Sequence, residues 1–176
     1  PDPGAGRRGR RGLNADREPT DGAASASEAE AALVEHVVDR KVIHKGRYLT
    51  FQVDTIERAD GSRGTREIAG HPGAVAILAI DDQDNVLLVR QYRVAVGRAL
   101  LEVPAGTLDV QPDGSIEAPD RAARRELEEE TGMRAGSWRL INRFFTAPGF
   151  ASEEMHLYLA TDLTPAEVDR LGPDED

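Results

Sequence analysis

The stretch Glu117–Met133, EAPDRAARRELEEETGM, decides how the rest of the chain is interpreted. Glu126, Glu129 and Glu130 have the spacing i, i+3 and i+4, so a helix places all three carboxylates on one face. Like charges at this spacing repel one another, but their oxygens are the ligands that hard divalent cations prefer. An ordinary solvated helix face is the alternative. The cluster therefore indicates either a cation site or an exposed acidic surface.

The same stretch carries signals for both ends of a helix. Pro119 suits the first helical position, and Gly132 suits the residue just past the C-terminus. Arg124 and Arg125 lie beside the acidic cluster, where they can screen or orient its carboxylates. We therefore predict a helix that begins near Pro119 and ends near Gly132.

The order of residues around the cluster resembles the signature of the Nudix hydrolases. Residues 125–133 fit its ending, Arg-Glu-U-x-Glu-Glu-x-Gly-U with U a bulky apolar residue, and Glu117 has the required spacing before them. The signature expects a glycine where this chain has Gln111, and Gly106 is the candidate for that glycine. Residues 110–114 are rich in turn formers, so we interpret them as a loop insertion that leaves the glutamates in place.

Within this family the chain is similar to the ADP-ribose pyrophosphatases from about residue 39 onward. The further matching segments are Arg90-Gln91-Tyr92-Arg93, Glu102-Val103-Pro104-Ala105-Gly106 and Ala147-Pro148-Gly149. The resemblance implies metal-dependent hydrolysis of ADP-ribose to AMP and ribose 5-phosphate. Two alternatives stay open, namely hydrolysis of another nucleoside diphosphate compound, such as a sugar nucleotide or dinucleotide, and an ADP-ribose sensor without hydrolytic activity. Sensors tend to lose the carboxylates that this chain retains, which favours an enzyme.

The resemblance also implies a cation site and a general base. Mg²⁺ or Mn²⁺ is expected to be bound by four groups: the carboxylates of Glu126, Glu129 and Glu130 and the carbonyl oxygen of Ala105. Arg125 is expected to orient the glutamates. Glu153 is the expected general base, and the adjacent Glu154 is its rival because only geometry separates the two.

The remaining expected site residues contact the substrate or support the signature. Arg93 is the expected phosphate or ribose contact, Arg66 is a weaker candidate, and Glu102 is grouped with them as substrate-binding. The supporting positions are Gly106, Glu117 and Gly132. The sequence does not reveal the aromatic wall that adenine would need.

Composition limits the other classes of function. The chain of 176 residues has no cysteine, which excludes disulfides, thiolate zinc sites and thiol nucleophiles. Its net charge of -10 argues against general nucleic-acid binding. No apolar run reaches membrane-spanning length, and the N-terminus lacks the apolar centre of a secretory signal. We expect a cytoplasmic enzyme with a small nucleoside diphosphate substrate and neither a nucleic-acid nor a membrane partner.

The predicted fold class is α/β (α+β), a Nudix fold in which a mixed β-sheet packs against the catalytic helix. Residues 1–30 are predicted to be a disordered tail, because they are small, polar and basic. Residues 31–70 are predicted to form an N-terminal antiparallel strand subdomain that mediates a homodimer, with an exposed strand over Tyr48–Ile56. Residues 71–176 are predicted to be the Nudix hydrolase domain, truncated at the C-terminus because family members continue with a strand and a helix.

Overall fold

The computed structural model describes residues 30–166. The strands are β1 (Glu35–Lys45), β2 (Thr50–Arg58), β3 (Arg63–Gly70), β4 (Ala74–Ala79), β5 (Val89–Arg93), β6 (Arg98–Glu102), β7 (Ala105–Thr107), β8 (Met133–Phe145) and β9 (Glu154–Pro165). Helix α1 spans Pro119–Thr131, and a short 3-10 helix spans Val94–Val96. The predicted tail, apart from residue 30, and the C-terminal boundary of the second domain lie outside the described residues.

The first three strands form an antiparallel sheet in the order β1-β2-β3. The antiparallel strand expected over Tyr48–Ile56 is present from Thr50 onward as β2. Its exposure was overestimated, because β2 is the middle strand and the side chains of Asp54 and Ile56 are buried. The sequence gives β1 no regular alternation, since its apolar residues occur as adjacent pairs, so the second neighbour of β2 was not expected. Arg40 of β1 and Gln52 of β2 both bond the carboxylate of Asp54.

The second sheet has the strand order β7-β4-β9-β8 and is mixed. The pair β4–β9 is parallel, whereas β4–β7 and β8–β9 are antiparallel. Helix α1 buries Ala122, Ala123 and Leu127 against this sheet. The other buried members of the core are Val75, Ile77, Ala79, Leu108, Tyr158 and Ala160. The predicted mixed sheet packed against the signature helix is therefore confirmed.

The ends of α1 lie where the sequence predicts them. Pro119 is its first residue, and Gly132 follows it with φ 65°, a left-handed conformation in which its N–H donates to the carbonyl oxygen of Glu128 at 2.8 Å. The segment before the helix closes on itself through a bridge between Val110 and Ile116. The bridge therefore brings Glu117 back beside the start of α1. No helix within residues 30–166 is long and apolar enough to cross a membrane.

Two connections bring the remaining parts to the second sheet. The strands β5 and β6 form a two-stranded antiparallel sheet that ends just before β7. The loop before β9 contacts the N-terminal sheet, because the N–H of Ala69 donates to the carbonyl oxygen of Phe150 at 2.7 Å and Ala69 also forms a bridge to Ala151. The loop that carries the expected general base is thus anchored to both sheets.

Candidate active site

Arg125 is the centre of a partly buried ion-pair network beside α1. Its Nη2 donates to Glu117 Oε2 at 2.8 Å, and its Nη1 donates to Glu126 Oε1 at 2.8 Å and to Glu129 Oε2 at 3.0 Å. The hydrogen bond to Glu117 is the main reason that the pKa of Arg125 is raised, and it lowers the pKa of Glu117. One guanidinium therefore fixes three of the signature glutamates.

Glu126 and Glu130 are only partly accessible to solvent. Burial raises the pKa of both carboxyls, and the opposing effects of Arg125 on Glu126 and of the Ala105 N–H on Glu130 do not cancel it. The N–H of Ala105 donates to Glu130 Oε2 at 3.1 Å, so strand β7 fixes the orientation of that side chain. These two carboxylates lie where additional positive charge would stabilise their ionised forms.

Gly106 on β7 leaves the space that Glu126 occupies. A Cβ at this position would lie 1.9 Å from Cδ of Glu126 and 2.0 Å from its Oε1. Any other residue at position 106 would therefore displace the carboxylate. This contact gives a physical reason for a glycine here, although the sequence places it farther from the helix than the usual signature does.

The side chains of the expected cation site do not converge on one point in this arrangement. Among the described residues, no three acidic or histidine side chains converge closely enough to bind an ion together. Glu126 and Glu129 are instead bonded to the same nitrogen of Arg125. The three expected glutamate ligands do lie on adjacent turns of α1, next to the backbone of β7.

A cleft of about 630 Å³ lies beside these carboxylates. Its lining residues are Arg47, Tyr48, Gln91, Arg93, Thr107, Asp109, Arg125, Glu126 and Glu129. Arg93 is held by Glu102, which accepts a hydrogen bond from its Nη2 at 2.7 Å and from its Nε at 3.1 Å. This pair lowers the pKa of Glu102. The expected phosphate contact therefore lines the same cleft as the signature glutamates.

The cleft contains two residues that the sequence analysis missed. Arg47 and Tyr48 come from the turn between β1 and β2, and the Arg47 guanidinium carbon lies 5.0 Å from the centroid of the Tyr48 ring. Arg47 and Tyr48 are consecutive residues in a segment rich in basic side chains, and that composition is the sequence feature that could have indicated them. Their distance from the signature in the sequence gave no indication of contact.

Glu153 lies in the loop between β8 and β9, and Glu154 begins β9. The hydroxyl of Thr146 donates to Glu153 Oε2 at 2.6 Å, whereas Glu154 is paired with Phe145 in the sheet. Ala74 at the start of β4 has Met155 on one side and Thr107 on the other. The topology therefore brings the loop of Glu153 and the strand next to α1 to the same end of β4.

Arg66 lines a different cleft, of about 460 Å³. Its lining residues are Glu35, Arg66, Ile68, Pro148, Gly149, Phe150, Ala151 and Ser152. Glu35 binds the guanidinium of Arg66 through both carboxylate oxygens. Phe150, which is 61% exposed, is an aromatic group that the sequence analysis did not assign to the site. The structure thus separates Arg66 from Arg93, while Ser152 joins this cleft to Glu153.

Comparison with known proteins gives consistent matches. The NUDIX domain model matches residues 70–176. ADP-ribose pyrophosphatase from Bacillus subtilis is 39% identical over 145 residues, which cover 82% of this chain and 76% of that protein. ADP-ribose pyrophosphatase from Mycobacterium tuberculosis is 42% identical over 126 residues, which cover 72% of this chain and 59% of that protein. A crystal structure of an ADP compounds hydrolase has a TM-score of 0.65 and 27% identity, covering 80% of this chain and 74% of the other.

Proposed function

Because the chain belongs to the Nudix hydrolase family, we propose that it hydrolyses the pyrophosphate bond of ADP-ribose to AMP and ribose 5-phosphate. The family resemblance and the fold predicted from the sequence are confirmed by the domain match and by the solved structure of similar fold. The observation that carries the substrate assignment is the 39% identity over most of the chain to a protein named ADP-ribose pyrophosphatase. The cleft beside the signature glutamates has the size of a small-molecule site.

The proposed cation ligands are Glu126, Glu129, Glu130 and the carbonyl oxygen of Ala105. Their hard oxygen donors fit Mg²⁺ or Mn²⁺, and burial has raised the pKa of Glu126 and of Glu130, which a nearby cation would counteract. When bound, such a cation neutralises phosphate oxygens and activates the attacking water. Arg125 holds the glutamates on one side of the cleft, and Gly106 admits the Glu126 carboxylate to the backbone.

Arg93 and Glu153 supply the other two parts of the proposed chemistry. The guanidinium of Arg93, fixed by Glu102, is oriented to bind a phosphate or the ribose in the cleft. Glu153 takes a proton from the attacking water as general base. The hydrogen bond from Thr146 to Glu153 favours this assignment over Glu154, whose position in β9 is set by strand pairing.

The cleft around Arg66 offers a place for the adenine base. The planar guanidinium of Arg66 and the exposed ring of Phe150 both line it, and each can stack on an aromatic base. Ser152, which precedes the proposed general base, belongs to the same cleft. The aromatic wall that could not be found in the sequence is thus assigned to Phe150.

Phe150→Ala should raise KM for ADP-ribose about tenfold and leave its kcat within about threefold of the parent.

A homodimer through the N-terminal strands accounts for the exposed apolar surface. β1 is an edge strand of the first sheet, and β8 is one of the two edge strands of the second sheet. Their exposed apolar residues are Val37, Val38, Val42, Ile43, Leu140, Ile141, Phe144 and Phe145. Exposed apolar surface on an edge strand is a feature from which a protein interface can be built. Sedimentation should give a dimer that Val42→Glu weakens, and a monomer that is fully active at nanomolar concentration would contradict this proposal.

Incubation with ADP-ribose and Mg²⁺ or Mn²⁺ tests the proposed reaction directly. Chromatography should show AMP and ribose 5-phosphate in equal amounts, and excess EDTA should abolish their formation. A panel of sugar nucleotides and dinucleotides identifies another preferred substrate if kcat/KM for ADP-ribose is not the highest. Tight binding of ADP-ribose without any product would support the sensor instead.

Paired variants test the general base. Glu153→Gln should lower kcat by about 10²–10⁴-fold while largely preserving metal affinity, since it removes the proton acceptor and no proposed ligand. Glu154→Gln is the matched control and should stay within a few-fold of the parent. If Glu154→Gln is the inactive variant and Glu153→Gln turns over normally, the assignment is wrong by one residue.

A further inference from the structure

The carboxylate of Glu153 lies between two side chains to which the proposed reaction gives no role. The hydroxyl of Thr146 donates to its Oε2 at 2.6 Å, and Nδ1 of His71 lies 3.6 Å from its Oε1. We propose that Thr146 and His71 are positioning residues, which hold the Glu153 carboxylate in the orientation that accepts a proton from the attacking water. This inference rests on the proposed function, because it concerns the same general base.

Thr146 ties the two ends of the loop together twice. Its backbone N–H donates to the carbonyl oxygen of Glu153 at 3.2 Å, and its side chain makes the hydroxyl bond to the carboxylate. Between them, the N–H groups of Phe150 and Ala151 both donate to the carbonyl oxygen of Ala147, at 3.1 and 2.8 Å, which makes a compact turn. A hydrogen bond to an ionised acceptor is stronger than one between neutral groups. The Thr146 hydroxyl therefore fixes Oε2 of Glu153, and Oε1 is the oxygen that lies near His71.

His71 forms a fixed wall next to that second oxygen. Its side chain is only 11% exposed, and its Nδ1 accepts a hydrogen bond from the N–H of Gly73 at 3.1 Å. Because Nδ1 accepts this hydrogen bond, it does not donate one to Glu153. The backbone N–H of His71 also donates to Ser152 Oγ at 3.0 Å, immediately before the carboxylate. The ring is therefore a steric limit on the movement of Oε1, although it donates no hydrogen bond to that atom.

The turn that carries His71 has a conformation suited to glycine. Gly73 has φ +109°, and a Cβ there would lie 3.1 Å from Cδ1 of Leu108 and 3.3 Å from the carbonyl oxygen of Glu154. The N–H that binds the His71 ring is therefore held by close packing against the core and against β9. The conformation of that turn therefore fixes the position of the imidazole.

Positioning of this kind affects the rate because a glutamate on a loop has many side-chain conformations. A catalytic group held in its reactive geometry avoids the entropy cost of finding it, and a displacement of about 1 Å can cost about 10²-fold in rate. Among residues 30–166, Glu154 has weaker support, since its side chain is 39% exposed and its Oε2 lies 3.9 Å from Nε2 of His156. The same two contacts therefore distinguish Glu153 from its neighbour.

Thr146→Val is the first test, because it keeps the branched shape and removes the hydroxyl. It should lower kcat about 10–100-fold and leave KM and Mn²⁺ affinity unchanged. Thr146→Ser should restore most of the rate. Thr164→Val, at the far end of β9, is the matched control and should behave like the parent. A Thr146→Val enzyme within about twofold of the parent would overturn the role of Thr146.

A double-mutant cycle separates positioning from a general structural effect. If Thr146 acts only through Glu153, Thr146→Val should cause no further loss in a Glu153→Gln background. An equal loss in both backgrounds would overturn the proposal. His71→Asn keeps an acceptor for the Gly73 N–H but removes the ring, so it should lower kcat with an unchanged Tm. A parent-like kcat for His71→Asn would exclude His71.

The activity of the unmutated parent protein tests the proposed function separately from the positioning proposal. Turnover of ADP-ribose by the parent supports that function whatever the variants do, and the ratio of variant to parent rates then tests the positioning. If the parent prefers another nucleoside diphosphate compound, the same ratios are measured on that substrate. A parent that hydrolyses none of them rejects both proposals.

Discussion

The N-terminal sheet and helix α1 both remove carboxylates from solvent, but they compensate the charge differently. Asp54 on β2 has no exposed side-chain surface, and Nε and Nη2 of Arg40 each bond one of its oxygens at 2.8 Å. This contact holds the pKa of Asp54 below its usual value. On α1, burial raises the pKa of Glu126 and of Glu130. The carboxylate in the N-terminal sheet is neutralised by a paired guanidinium. The carboxylates on α1 carry more negative charge than their cationic partners neutralise.

This difference separates a structural carboxylate from the carboxylates that we propose to be functional. The Asp54 carboxylate bonds Arg40 on the neighbouring strand and so links β1 to β2. The negative charge on α1 is compensated less completely. Glu130 accepts from the Ala105 N–H and Glu126 accepts from Arg125, but these carboxylates repel one another and are partly desolvated. Carboxylates with raised pKa values beside a cleft are typical of functional sites. The comparison therefore indicates where an added cation would be bound.

The largest expected effect follows from removing one charge in each region. Glu130→Gln keeps the size of the side chain and its bond to the Ala105 N–H, but it removes a proposed cation ligand. It should weaken Mn²⁺ binding and lower kcat/KM at least about 10²-fold, measured by calorimetric titration and initial rates. Asp54→Asn is the control and should keep both values near the parent. An equal loss in the two variants would show that the two regions do not differ in function.

Gly106→Ala should give the next largest effect. Its Cβ would overlap the end of the Glu126 side chain, which can move away without disturbing the backbone. We expect kcat/KM to fall about 10–100-fold, with a Tm within a few degrees of the parent. Gly70→Ala is the matched control, because its Cβ would lie 3.5 Å from the nearest atoms of Thr50. A fully active Gly106→Ala enzyme would show that the position of Glu126 is not critical.

The parts of this contrast that could be predicted from the sequence are local ones. Pro119 and Gly132 mark the ends of α1 because their backbone preferences act within a few residues. Residues 110–114 form a turn, as their composition indicates, for the same reason, since turn formers determine the conformation of their own segment. The spacing of Glu126, Glu129 and Glu130 placed them on one helix face without any knowledge of the sheet.

The contacts that could not be predicted join residues far apart in the chain. Asp54 is buried because Arg40 reaches it from a strand whose apolar residues do not alternate. Tyr48 lies in the cleft because the fold brings the turn between β1 and β2 to the same cleft as α1, which no local pattern encodes. The Thr146 bond to Glu153 depends on the path of one loop. Pairing and loop closure of this kind are properties of the whole fold.

Stability should respond in the opposite order to activity. Asp54→Asn weakens a buried charge-assisted pair, so it should lower Tm by about 2–6 °C in thermal unfolding. Glu130→Gln removes a partly desolvated charge near others of the same sign, so its Tm without metal should equal or exceed that of the parent. Thermal scans in EDTA keep bound metal from contributing. A lower Tm for Glu130→Gln than for Asp54→Asn would reverse the assignment of structural and functional roles.

The smallest effect is the pH dependence of these Tm differences, and its sign differs between the two regions. The folded-state pKa of Asp54 lies below its ordinary value of 3.8, so its stabilising contribution is present above pH 3.8 and is lost as pH falls through the lowered pKa.

The folded-state pKa of Glu130 lies above its ordinary value of 4.5, so its ionisation costs stability as pH rises through the raised pKa and costs nothing well below pH 4.5. In EDTA, the Tm deficit of Asp54→Asn should therefore stay constant from about pH 8 to pH 5 and shrink in stronger acid. Any Tm gain of Glu130→Gln should be largest at pH 8 and disappear as pH falls toward 4.5. Two differences that change in the same direction with pH would show that both carboxylates are compensated alike.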